Sequence, residues 1–120
     1  MATLAVAKCP ALTIPNTGTT SNVWKAREVY DDAEEICLHA PAALDALTFT
    51  IEVTDDPDVQ TPVWRTLQDG SPPADVAPSA AGKSRAYSTG LISAGGVRLK
   101  ASGAVAADRT WAATKQYRMN

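Results

Sequence analysis

The sequence predicts an all-β fold: a single β-sandwich of short strands, jelly-roll-like in its connections, with little helix. Three observations lead there. One stretch near the middle alternates apolar and polar residues without a break, several weaker alternating runs are spaced by Gly, Pro and Asp, and no long segment carries the 3.6-residue apolar repeat of an amphipathic helix. The central stretch is Leu47 to Val53, where Leu47, Phe49, Ile51 and Val53 alternate with Thr48, Thr50 and Glu52. A period of two puts the four apolar side chains on one face of a strand. Asp55 to Pro62 then carries three Asp and two Pro and must turn, after which Val63 to Leu67 resumes with Val63 and Trp64. Residues 47–67 therefore read as a β-hairpin.

Taken in order, residues 1–24 read as an N-terminal arm or edge strand and residues 25–120 as the sandwich domain. Short strands fall at Thr3 to Ala7 and Leu12 to Ile14, divided by Pro10, and Asn16 to Asn22 reads as an exposed loop. Arg27 to Tyr30 reads as a strand end, Asp31 to Glu35 as an acidic corner, and Glu35 to His39 as a strand with Ile36 and Leu38 on one face. A helix over Ala26 to Leu38 is the competing reading, because Ala, Glu and Arg are good helix formers. Strands are preferred: Val29, Tyr30, Ile36 and Cys37 make no clean helical stripe, and Pro41 follows at once. Gln68 to Ser84, with three Pro and two Gly, is a long loop with at most a short strand at Asp75 to Ala77. Tyr87 to Ser93 and Val97 to Ser102 are strands separated by a Gly95-Gly96 turn, and Thr110 to Arg118 is the last strand. Its inward face fades toward the C-terminus, so that end is expected to leave the core.

Composition sets the limits. A chain of 120 residues fits one domain that buries roughly two-thirds of its extended surface. Aromatic residues are only 6% of it, so a few large side chains must supply the core: Phe49, Trp64, Trp111, Tyr87, Ile51, Val53, Ile36 and Leu38. The net charge is −2 with Lys and Arg scattered, which argues against nucleic acid as a partner. No apolar run approaches a membrane span, and Met1 to Ala7 lacks the basic start of a signal peptide, so synthesis and retention in a cytoplasm are expected. Cys9 and Cys37 read as buried thiols in a reducing compartment, and without CxxC or HxxxH spacing they suggest no metal site.

No catalytic constellation emerges. Ala77 to Ser84, APSAAGKS, matches a loose phosphate-loop pattern, but neither a buried strand before it nor a helix after it is predicted. The acidic clusters Asp31, Asp32, Glu34, Glu35 and Asp55, Asp56, Asp58 lack the glycine and the closing Glu of a calcium loop and read as solvated turns. His39 is the single histidine, too few for a convincing Ser or Cys triad. The expectation is a protein that is not an enzyme, with no cofactor, metal or small-molecule substrate. Trp64 reads as core, whereas Trp24, following a polar loop, reads as an interface residue.

The pattern YDDAEEICLHAPAALDALTFTIEVTDDPDVQTPVWRTLQDG, followed by GGVRLKASGAVAADRTWAATKQ, resembles short structural proteins of tailed bacteriophages, and within these a capsid cement or decoration protein. The resemblance spans about residues 29 to 116. It implies a sandwich or jelly roll, made in the host cytoplasm, that binds the outside of an assembled shell as a homodimer or homotrimer and bridges capsomers of the major capsid protein. Contacts would come from Ala2 to Asn22, Asp69 to Ser84 and Gln116 to Asn120, with Trp24, Tyr30, Tyr117 and Arg118 as candidate interface residues. The alternative is a carbohydrate-binding module of a tail or receptor-binding apparatus, using Trp24, Tyr30 and an acidic corner.

Overall fold

A computed structural model describes residues 3–89 and 91–119. The elements are β1 (Thr3–Ile14), β2 (Trp24–Lys25), α1 (Ala26–Val29), β3 (Ala33–His39), β4 (Phe49–Thr54), β5 (Arg65–Thr66), β6 (Gln68–Asp69), β7 (Ala74–Asp75), β8 (Ser84–Ser88), β9 (Gly96–Ala101) and β10 (Arg109–Met119). One sheet has the order β1-β10-β3-β8 and the other β2-β9-β4-β5, with β6-β7 a separate two-stranded ribbon. Every pairing is antiparallel. The pairs nest: β4 with β5, β3 with β8, β2 with β9, β1 with β10. That is the result of rolling one long antiparallel ribbon so that successive segments fall in opposite sheets, which is jelly-roll order. The ribbon's tip is the predicted hairpin of residues 47–67.

The chain is 48% strand and 3% helix, and the competing readings of residues 26–38 divide: β3 (Ala33–His39) is the expected strand, whereas Ala26–Val29 is helical. Only one helical turn survives, where Tyr30 and Asp31 N–H both donate to Ala26 O, and this turn replaces the expected strand end at Arg27 to Tyr30. β3 then begins at Ala33. The two short strands expected at the N-terminus are one, β1, with a register shift between Cys9 and Leu12 that absorbs Pro10. The segment expected to be an exposed loop, Asn16 to Asn22, is a largely exposed loop that also follows β9: Ser21 N–H donates to Leu99 O, and Thr19 O accepts from Ala101 N–H. Residues 3–24 are thus joined to the sandwich along their length. The strand expected at Tyr87 to Ser93 ends at Ser88, where the chain folds back and Ile92 N–H donates to Ser88 O; Gly90, within that expected strand, lies outside the described residues. At the expected Gly95-Gly96 turn the need is for space: a Cβ on Gly95 would stand 2.3 Å from Asp55 O.

The core lies between the sheets. Leu12, Ile14, Ile36, Leu38, Tyr87 and Trp111 face Trp24, Ile51, Val97 and Leu99. Trp111 is fully buried, packs edge-on against Phe49 at 5.4 Å and 62°, and donates its indole N–H to Ser79 O at 3.1 Å. Of the predicted core, Trp111, Tyr87, Ile51, Ile36 and Leu38 are buried, while Phe49 and Val53 are half-buried. Trp64 departs from the prediction. It shares the outer face of its sheet with Thr66, by strand alternation, and its ring lies 4.3 Å from the Arg98 guanidinium. Beneath that pair Glu52, predicted to face solvent, is only 6% exposed and accepts from Arg98 Nε at 2.8 Å.

Replacing Trp111 with Ala removes the largest buried side chain and leaves Ser79 O without its donor. Equilibrium denaturation should show a loss of about 3–5 kcal/mol, a large share of a marginal total.

Candidate interaction surface

The four predicted interface residues separate into two pairs. Trp24 and Tyr30 are corrected: both are core residues, 2% and 3% exposed. Each buries an aromatic body because a distant backbone carbonyl accepts its polar tip, Pro10 O from Trp24 Nε1 at 2.8 Å and Ala94 O from the Tyr30 hydroxyl. Burial pushes the Tyr30 phenol up to about 12. Tyr117 and Arg118 lie near the end of β10, opposite Ala5 and Leu4 of β1. Arg118 Nε donates to Glu34 at 3.0 Å, and Lys115 Nζ stands 5.9 Å from the Tyr117 ring centre.

Those two residues belong to a region where one sheet outruns the other. β1 and β10 have 12 and 11 residues, whereas β4 and β9 have 6 each. In the overhanging part Thr3 to Cys9 pairs with Ala113 to Met119, and β10 in turn pairs on its other side with β3. No residue from Thr3 to Cys9 is fully buried, and three of the six large apolar side chains exposed among the described residues are here: Leu4 (50% exposed), Val6 (70%) and Met119. Lys115 closes the core at the root of the overhang, its ammonium donating to Val29 O at 2.9 Å and to Asp32 at 2.7 Å.

Elsewhere several polar groups of the sequence motifs are tied to one another. The APSAAGKS segment forms a wall over the core and enters β8, a strand and not a helix: Ser79 Oγ donates to Leu38 O, and Ala77 O accepts from Tyr87 and Arg85. In the Asp55, Asp56, Asp58 cluster Asp58 bonds Lys25 at 2.6 Å and Arg27 at 3.0 Å, and these cations hold its carboxyl below its ordinary value. In the other acidic cluster, Asp32 bonds Lys115 and Glu34 bonds Arg118. Among the described residues no three His, Cys, Asp or Glu are grouped to hold a metal ion. His39 stands between two hydroxyls, Ser84 Oγ at 2.7 Å from Nδ1 and Thr114 Oγ1 at 3.0 Å from Nε2, with no carboxylate to orient it as a base. Cys9 and Cys37 pair with Ala113 and Thr114, adjacent on β10, so the thiols point to opposite faces of the sheet. Burial raises both above the ordinary thiol value, the reverse of what an activated nucleophile requires.

Two hollows open at the sandwich ends. One of about 350 Å³ is lined by Leu44, Leu47, Phe49, Pro78 and Ala80, with Asp45 fixed at its rim by Arg109 at 2.7 Å and by Ala106 N–H. The other, about 280 Å³, lies beside Tyr30 and Ile92. Neither gathers polar groups that converge on a ligand.

Comparisons with protein-family models, with curated proteins and with solved structures found no match.

The contacts expected from Ala2 to Asn22 cover this strand, but Leu4 and Val6 are not singled out within it: in TLAVAKC they alternate only with alanines, so neither face of the strand is marked as the buried one.

The placement of Tyr30 has a titration signature. An exposed phenol ionises near pH 10, whereas Tyr30 and Tyr87 are both held near 12 by burial. Because the folded values lie above the unfolded ones, the associated stability is complete below pH 10 and lost as pH rises toward 12. Ultraviolet absorbance titration should show two phenolates forming only above pH 11 or so, together with loss of near-ultraviolet circular dichroism; an interface Tyr30 would ionise earlier with the fold intact.

Proposed function

We propose that this chain is a structural virion protein that binds the outer surface of an assembled phage capsid and stabilises it by bridging capsomers of the major capsid protein. One observation supports this reading best: three of the six large apolar side chains exposed among the described residues, Leu4, Val6 and Met119, lie together on the overhanging end of one sheet. A surface of that kind suits lateral attachment to another protein. In this reading the protein acts as a homodimer or homotrimer made in the host cytoplasm and carried on the capsid exterior, with no part taken by nucleic acid, membrane or small-molecule substrate. Each copy contributes modest contacts, and their number over the lattice supplies the stabilisation. Tyr117 and Arg118 remain the interface candidates, now joined by Leu4, Val6 and Met119.

The carbohydrate-binding alternative is weakened, because Trp24 and Tyr30, the two aromatics it relies on, are core residues.

Purified empty shells, heated with and without saturating protein, test the proposal. Bound protein should raise the disassembly temperature, and Tyr117→Ala with Arg118→Glu should weaken shell binding by about tenfold or more while leaving the fold unchanged. Identical disassembly temperatures with and without the protein would remove the capsid reading.

A further inference from the structure

The edge of the first sheet is treated differently along its two halves. From Pro10 to Thr13 the backbone groups of β1 that face away from β10 are capped by side chains: Trp24 Nε1 donates to Pro10 O, Asn22 Nδ2 to Ala11 O, and Thr13 N–H donates to Asn22 Oδ1. From Thr3 to Cys9, among the described residues, β1 has hydrogen-bonded neighbours only in β10. Strand alternation fixes which groups are open. Cys9 is opposite Ala113, Pro10 O points outward, and groups facing one neighbour recur every second residue, so Leu4, Val6 and Lys8 direct their N–H and C=O to the free edge.

Such an edge is normally blunted by proline, inward charge, a bulge or a covering loop. Here Pro10 and the register shift come only after Cys9, and the single charge is Lys8. The same three residues carry the exposed Leu4 and Val6 side chains on the outer face of the sheet. The opposite edge, β8, is shorter, at five residues, and the large apolar side chain it carries, Tyr87, is buried.

We infer that the open half of β1 pairs antiparallel with the same strand of a second copy, about a two-fold axis through Val6. That register uses all three outward-facing residues: Val6 meets Val6, and Leu4 meets Lys8 in both directions, setting an apolar side chain against a lysine stem and no cation directly opposite another. It joins two four-stranded sheets into one of eight, and a two-fold contact closes on itself where pairing β1 with β8 would propagate into a filament. The seven-residue edge is about 23 Å long, so the interface is at the small end and the dissociation constant should be on the order of 10 µM. The pairing gives the oligomer of the capsid reading a definite form but rests on the edge alone. A failure to bind shells leaves it standing, and a monomeric chain overturns it.

Sedimentation velocity on the full chain under reducing conditions tests it. The wild type should pass from monomer to dimer in the micromolar range. Val6→Lys and Val6→Glu, at a position 70% exposed, should each keep the fold and weaken self-association at least about tenfold, because like charges would meet at the axis. Mixing the two variants should restore the dimer. A wild type that stays monomeric up to about 1 mM, a Val6→Lys protein that dimerises undiminished, or a mixture that does not recover would each overturn the pairing.

Discussion

The fully buried Trp111 is the side chain on which most of this structure depends, since in a chain poor in aromatics it reaches from one sheet to Phe49 of the other. Trp111 is also fastened from outside the sheets. Its indole N–H reaches Ser79 O, Ser79 Oγ reaches Leu38 O, and the neighbouring Ala77 O receives Tyr87 and Arg85. One buried indole thereby places the 77–84 segment as a lid over the core and fixes the entry to β8. The resemblance of that segment to a phosphate loop comes from residues selected for small size and tight turning, with Gly82 at a positive φ of 69°.

The rolled ribbon explains the shape of the rest. Its tip, the β4–β5 hairpin, lies in the shorter sheet, and its free ends, β1 and β10, form the longer one. Because the ends outrun the opposite sheet, they have nothing to bury against, and the overhang carries exposed apolar side chains. Lys115 marks the boundary: its stem lies in line with the core, and its ammonium is neutralised by Asp32 and bonded to Val29 O. Its hydrogen bond holds the Asp32 carboxyl below its ordinary value.

Much of this fold was legible in the sequence where the signal was local. Alternation located β4, β3, β9 and β10, and β-branched and aromatic residues at alternate positions identified Ile51, Ile36, Tyr87 and Trp111 as core. What was not legible depends on partners far along the chain. Trp24 follows a polar loop and Tyr30 precedes two aspartates, yet both are buried because Pro10 O and Ala94 O accept their polar tips. Glu52 occupies an outward position, and pairing of β4 with β9 is what sets Arg98 over it. For the surface, the sequence directed attention to Tyr117, Arg118 and the whole segment Ala2 to Asn22, but not to the open half of the strand within it. An open edge is a property of the sheet, and no residue type announces it.

The claim that carries most weight is that the open half of β1 is where this chain joins others. Residue-resolved amide hydrogen exchange tests it directly, in dilute protein, in concentrated protein and on shells. The amides of Leu4, Val6 and Lys8 should exchange freely when dilute and slow together on self-association, whereas Ala5, Ala7 and Cys9, which face β10, should be slow throughout. Equal, fast exchange at Leu4, Val6 and Lys8 in all three samples would contradict the claim.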